Sequence, residues 1–123
     1  MAAAASIVIA GYISNAPTSG YRQIGPITLA SAAANPQVTR VVLQSGENVI
    51  TIPASPAPSG CIIQLPSDNT AVTKLVGTTG DVGLAIGKTT AQVLNWDATA
   101  VPASFILSSA STQTGKATEI TFF

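Results

Sequence analysis

The sequence predicts an all-β domain, a two-sheet antiparallel sandwich of Greek-key or jelly-roll type. Three observations lead there. No segment carries the sustained i, i+3, i+4 apolar stripe of a packed helix. Short runs rich in β-branched residues return at roughly 8–12-residue spacing, each closed by turn residues. The connection at residues 53–60 holds Pro53, Pro56 and Pro58, which rule out both a ladder and a helix and suit a stiff crossing between sheets. A chain of 123 residues is the size of one domain, so residues 1–123 are read as a single sandwich.

The elements follow in order. Residues 5–13 form a β-branched run, and residues 15–20 close it with loop residues. From Pro26 to Ser31 apolar and hydroxyl positions alternate. Residues 30–34 permit a helical turn, which Asn35-Pro36 would end. Residues 38–43 lead into the turn Ser45-Gly46-Glu47-Asn48, and residues 48–52 return from it. This pair reads as a hairpin, with Ile50 and Ile52 on one face and Thr51 on the other. Beyond the proline crossing, strands are expected at 61–65, 71–76, 82–88, 91–96, 104–109 and 118–123. The expected core is Ile50, Ile52, Ile62, Leu65, Leu75, Val82, Leu84, Ile86, Leu94, Phe105, Leu107, Ile120 and Phe122. Residues 1–45 are either further strands or an N-terminal arm.

Charge narrows the function. Only 8% of residues are charged and the formal net charge is zero, against about 25% charged in an ordinary soluble chain. Such a surface has little electrostatic repulsion to keep copies apart, which suits a subunit packed among others. The basic residues Arg22, Arg40, Lys74, Lys88 and Lys116 are scattered, not gathered into the cluster that a nucleic-acid partner demands. No basic amphipathic stretch suggests a membrane surface, and no apolar run approaches the ~20 residues of a spanning helix. Residues 1–10 lack the positive segment of a secretion signal, the first basic residue being Arg22. Cys61 is the only cysteine and sits in an apolar run, so a small buried thiol is expected.

One stretch imitates a site of chemistry. Gly80-Asp-Val-Gly-Leu-Ala-Ile-Gly-Lys-Thr-Thr90 suggests the phosphate-cradling loop G-x-x-x-x-G-K-[ST]. Gly83 and Gly87, however, enclose only Leu84, Ala85 and Ile86, one residue too few. The period-two alternation of Val82, Leu84 and Ile86 reads instead as a glycine-rich strand packed closely on a neighbour. The chain has no histidine, which removes Ser-His-Asp and Cys-His nucleophiles and every His-containing metal site. Its carboxylates, Glu47, Asp68, Asp81, Asp97 and Glu119, fall mostly in turns, and their spacing demands no acid pair. No enzyme is expected, and no cofactor or metal. The candidate contact residues are Trp96, Tyr12 and Tyr21. Trp96 reads as an anchor at a sheet end with its N–H bonded; with the tyrosines, it could alternatively stack on a sugar ring.

The order and style of residues 46–123 resemble small all-β virion proteins of tailed bacteriophages, above all capsid decoration (cement) proteins. The likeness is carried by Gly46-Glu47-Asn48-Val49-Ile50-Thr51-Ile52-Pro53, by Gly60-Cys61-Ile62-Ile63-Gln64-Leu65-Pro66 and by the run from Gly77 to Ile86. The strand Phe105-Ile106-Leu107-Ser108 and the terminal Ile120-Thr121-Phe122-Phe123 continue it. The resemblance implies a virion structural protein, assembled in the host cytoplasm and seated on the head as a homotrimer or similar cluster. Its partners would be the major capsid protein and other copies of itself, and it would reinforce the shell against internal pressure. The alternative is a tail- or fibre-associated domain for host glycan attachment. No catalytic residues come with the resemblance.

Overall fold

The computed structural model describes residues 6–14, 21–30, 37–55, 57–97 and 99–123, and among them the chain forms strands without a helix. They are β1 (Ser6–Ser14), β2 (Tyr21–Ala30), β3 (Gln37–Val41), β4 (Gly46–Thr51), β5 (Gly60–Gln64), β6 (Thr73–Val76), β7 (Leu84–Ala85), β8 (Ala91–Asn95), β9 (Ser104–Ser109) and β10 (Thr118–Phe122). β1 and β2 pair with each other as an antiparallel ribbon. The other eight form two antiparallel four-stranded sheets, in the orders β3-β10-β5-β8 and β4-β9-β6-β7. The loop expected at 15–20 and the helical turn at 30–34, apart from Ala30 in β2, lie outside the described residues.

The sandwich strands, counted one to eight from β3, lie one-eight-three-six in one sheet and two-seven-four-five in the other. That is the strand order of a jelly roll, two Greek keys rolled face to face. Among the sandwich strands only β6 and β7 are both consecutive and paired; every other step along the sandwich crosses to the opposite sheet. The proline-bearing connection after β4 is one of these crossings, as its composition predicts.

The expected hairpin at 38–52 is corrected by this order. β3 pairs with β10 and β4 pairs with β9, so the two are in different sheets. Between them Leu43 is fully buried, and its carbonyl accepts the Gln113 N–H at 2.9 Å. Asn48 fixes the corner. Its amide nitrogen donates to Gln44 O (2.9 Å), Gly46 O (3.1 Å) and Leu107 O (3.0 Å), and its Oδ1 accepts the Gln44 N–H at 2.9 Å. The turn residues were legible, but they serve a crossover rather than a hairpin.

Side chains alternate across the pleat, and the inward set makes the core. β5 sends in Cys61 and Ile63, with Leu65 following just past its end; β10 sends in Ile120 and Phe122; Leu43, Ile50, Ile52, Phe105 and Leu107 complete the cluster. Three core expectations change. Ile62 is half-buried on the outward parity of β5, and Ile63 takes its place. Val82 and Leu84 are 82% and 68% exposed. They flank Gly83, whose φ of +75° breaks the pleat, and β7 is a two-residue strand at the sheet margin. The alternation was real, but among the described residues Val82 and Leu84 are left uncovered. Ile86, Leu75 and Leu94 are half-buried against the core.

The run that imitates a phosphate loop is thus a turn and a short edge strand. Thr78 and Asp81 close the turn: Asp81 Oδ2 accepts the Thr78 hydroxyl at 2.8 Å and the Thr78 N–H at 3.1 Å. Gly80, at φ +89°, donates its N–H to Glu47 Oε1 at 2.9 Å, linking this turn to β4, two strands away. A Cβ at Gly83 would come within 2.7 Å of Val76 Cγ2 and 2.9 Å of Leu75 O, the close approach expected of a packed glycine.

Cys61 is fully buried, and burial pushes its thiol from an ordinary 9.0 up to about 12. Between those values the unfolded chain has released the thiol proton while the folded chain keeps it. Stability therefore falls as pH rises through about 9, and the whole contribution, on the order of 4 kcal/mol, is gone near pH 12. In alkaline unfolding followed by circular dichroism, Cys61→Ala is expected to be less stable at pH 7 yet to decline less steeply between pH 9 and 12. Parallel curves for the two proteins would refute the buried-thiol account.

Candidate interaction cleft

At the end of the sandwich where β5 begins and β8 ends, the sheets stand apart. Leu94, Asn95 and Trp96 face Leu75, Val76, Gly77, Pro102, Ser104 and Phe105 across a cleft of about 480 Å³. The opening follows from strand length. On β8 the inward parity is Gln92, Leu94 and then Trp96 past its end, all half-buried. The opposing margin is the two-residue β7, too short to cover them. Leu75 and Leu94 therefore pack on the core with one side and line the cleft with the other.

Trp96 is pinned by its polar atoms. Its indole N–H donates to Pro58 O at 2.7 Å, and its backbone N–H donates to Ser59 O at 3.1 Å. The Asn95 side-chain amide donates to the same Ser59 carbonyl at 3.0 Å. Pro58 is buried, so the end of the proline crossing is clamped onto the end of β8. The expected sheet-end anchor with a bonded N–H is what the structure shows. With its donor used on backbone, the indole offers the cleft its apolar ring.

The two tyrosines lie elsewhere in the topology. Tyr12 is opposite Gln23 and Tyr21 opposite Ser14 in the β1–β2 ribbon, and their side chains lie outside the described residues. The residues the sequence reading missed are the rest of the cleft wall. Leu75, Leu94 and Phe105 were assigned to the core, and Pro102 to no role. The available signal was Gln92, a polar residue on the inward parity of β8, which marks a face that is not fully covered.

The carboxylates have ordinary local partners. Glu119 Oε2 meets Arg40 Nε at 3.2 Å across β10 and β3, and Asp68 Oδ2 is 3.5 Å from Lys116 Nζ. Beside the cleft, Asp97 accepts the Thr99 hydroxyl at 2.7 Å and the Thr99 N–H at 2.8 Å. Those two bonds, the hydroxyl first, hold its carboxyl below the ordinary 3.8. Among the described residues, no three or more His, Cys, Asp or Glu side chains gather as a metal site would require.

The opposite end of the sandwich is polar. A smaller cavity of about 230 Å³ lies between residues 69–71 and 111–116. Buried Asn69 spans its wall, donating to Ala71 O (3.1 Å) and Lys88 O (2.8 Å). Gln113 Nε2 donates to Ser109 Oγ at 3.3 Å, which in turn donates to Ser111 O at 2.7 Å. Nearby, the buried Thr73 and Thr118 hydroxyls and Gln113 Oε1 have no partner among the described residues.

The fold and this geometry define a jelly-roll β-sandwich with an uncharged, largely apolar cleft at one end. Comparisons with protein families, with curated proteins and with solved structures found no match.

Proposed function

We propose that this chain is a non-enzymatic structural subunit of a bacteriophage virion, a capsid decoration or cement protein that binds the major capsid protein and stabilises the head. The observation that carries the reading is the Trp96 cleft: apolar walls, no charged residue in the lining, and a tryptophan whose hydrogen bond is already made. Such a cleft accepts an aliphatic or aromatic side chain of a protein partner and leaves no ion stripped of water. The exposed Leu84, opposite Leu75 in the ladder, extends apolar surface next to it. The capsid itself comes from the resemblance of residues 46–123, and so does the clustering of copies as a homotrimer. Reinforcement would work by clamping. Area buried across several shell subunits must be re-exposed before the shell opens.

The test is made on particles. Imaging is expected to place the chain on the head surface, and heads lacking it are expected to rupture at lower temperature or milder osmotic shock. A chain missing from the head, or heads equally robust without it, would overturn the proposal. Glycan attachment is the competing outcome. A sugar needs several hydrogen-bonding groups around its stacking ring, whereas the lining supplies Asn95, already bonded to Ser59, and Ser104. Glycan-array binding that disappears in Trp96→Ala would decide for attachment.

A further inference from the structure

We propose that the β1–β2 ribbon of one copy docks against the β8 margin and the Trp96 cleft of a second copy. The inference rests on the reading that copies of this chain associate, and it names the surfaces by which they do so.

The ribbon requires a partner. Its strands are hydrogen-bonded to each other and to neither four-stranded sheet, and a two-stranded ribbon alone is marginally stable in water. Each of its faces exposes a branched aliphatic side chain. Val8 is opposite Thr28 and Ile27 is opposite Ile9, so Val8 and Ile27 fall on opposite faces; they are 58% and 47% exposed. Paired to Ala30 at one end and Tyr21 at the other, the ribbon holds its register along its length apart from an irregularity between Ile9 and Gly11.

The cleft matches the ribbon in its near absence of charge. The two ribbon strands contain one charged residue, Arg22, and the cleft lining contains none. Bringing them together therefore strands no ion pair in a dry interface. β8 is the last strand of its sheet, so one of its sides is free to accept a ribbon strand while the cleft beside it takes the side chains. Within one chain the ribbon pairs with neither sheet, and a neighbouring copy supplies what it lacks.

The test uses disulfide trapping between full-length variants. Val8→Cys marks the ribbon, and Val101→Cys marks the exposed residue next to Pro102 on the cleft wall. Cys61 is fully buried and stays out of the exchange. The two variants, mixed in equal amounts under mild oxidant, are expected to give a mixed disulfide at least about tenfold over either like-with-like product. Adding Thr28→Lys, a charge at the exposed position opposite Val8 on the same face of the ribbon, is expected to reduce the mixed product about tenfold. Three results would overturn the proposal. No mixed product from a chain that sediments as an oligomer would mean that copies meet elsewhere, leaving the association itself intact. No mixed product from a chain that sediments as a monomer would remove both the docking and the association. A disulfide within single chains of the double variant Val8→Cys, Val101→Cys would show the ribbon folding onto its own sandwich.

Discussion

Gly60→Ala is expected to destabilise the sandwich by at least about 3 kcal/mol, the upper end of what an overpacked methyl costs. A Cβ at Gly60 would overlap the Leu94 carbonyl oxygen, lie 2.8 Å from Phe123 Cζ and stand 3.0 Å from Asn95 Cα. Two of those three neighbours are backbone of β8, in the ladder where Gly60 is opposite Asn95 and Cys61 opposite Leu94. Relief therefore means prying β8 from β5. Gly60 has no positive φ, so the penalty is steric. Gly46 offers the contrast: its φ is +96° with open space around it, so an alanine there meets only the roughly 1–2 kcal/mol of left-handed backbone. Denaturant titration of both variants against the parent protein checks the ranking. Trp96 is the chain's single tryptophan, and its clamp to Pro58 and Ser59 adjoins Gly60, so its fluorescence reports local loss directly. A Gly60→Ala protein as stable as the parent would disprove the close approach of β5 and β8.

Phe122→Ala is expected to cost about 3–5 kcal/mol, the range for truncating a buried phenylalanine. Phe122 is 1% exposed and is the largest of the fully buried side chains. Its strand is central, with Phe122 opposite Gln37 on β3 and Cys61 on β5. The backbone around the vacated ring is held on both sides and cannot collapse into the space. A domain's whole stability is about 5–15 kcal/mol, so the variant stands near the threshold of folding. The melting temperature is expected to fall by roughly 10–20 °C. Thr121→Ala, one residue earlier on the opposite parity and half-buried, is the matched control and is expected to move it far less. Equal shifts for the two would contradict the inward parity of β10.

Strand existence was legible because it is local. The short apolar runs at 61–65, 104–109 and 118–123, bounded by turn residues, coincide closely with β5, β9 and β10. What an apolar face meets is not local. Val82, Leu84 and Ile86 alternate as a strand should, but only Ile86 finds core, because Gly83 turns the chain at the sheet margin. Choosing between Ile62 and Ile63 was within reach: Leu65, expected in the core, fixes the parity of Ile63 and Cys61. The partner of β3 was not within reach. Ser45-Gly46-Glu47-Asn48 is equally good chemistry for a hairpin or a crossover, and the choice is made by Leu107 and Gln113, some 60–70 residues later. For the candidate site, the hydrogen-bonded Trp96 anchor could be read from residue type. The cleft beside it is a gap between two sheets, and the period of a strand does not tell where facing sheets part.

The jelly-roll order also governs how the chain reaches this state. Gln37 must find Phe122 and Gly46 must find Ser109, with almost the whole intervening chain between them. The entropy of closing such loops is spent before any ladder forms, which places the domain among slow folders. During synthesis β3 and β4 emerge long before β10 and β9, so their unpaired backbone must wait, exposed, for the last strands to leave the ribosome. The β6–β7 pair, closed by the Thr78–Asp81 turn, is the one piece of the sandwich that can zip up early.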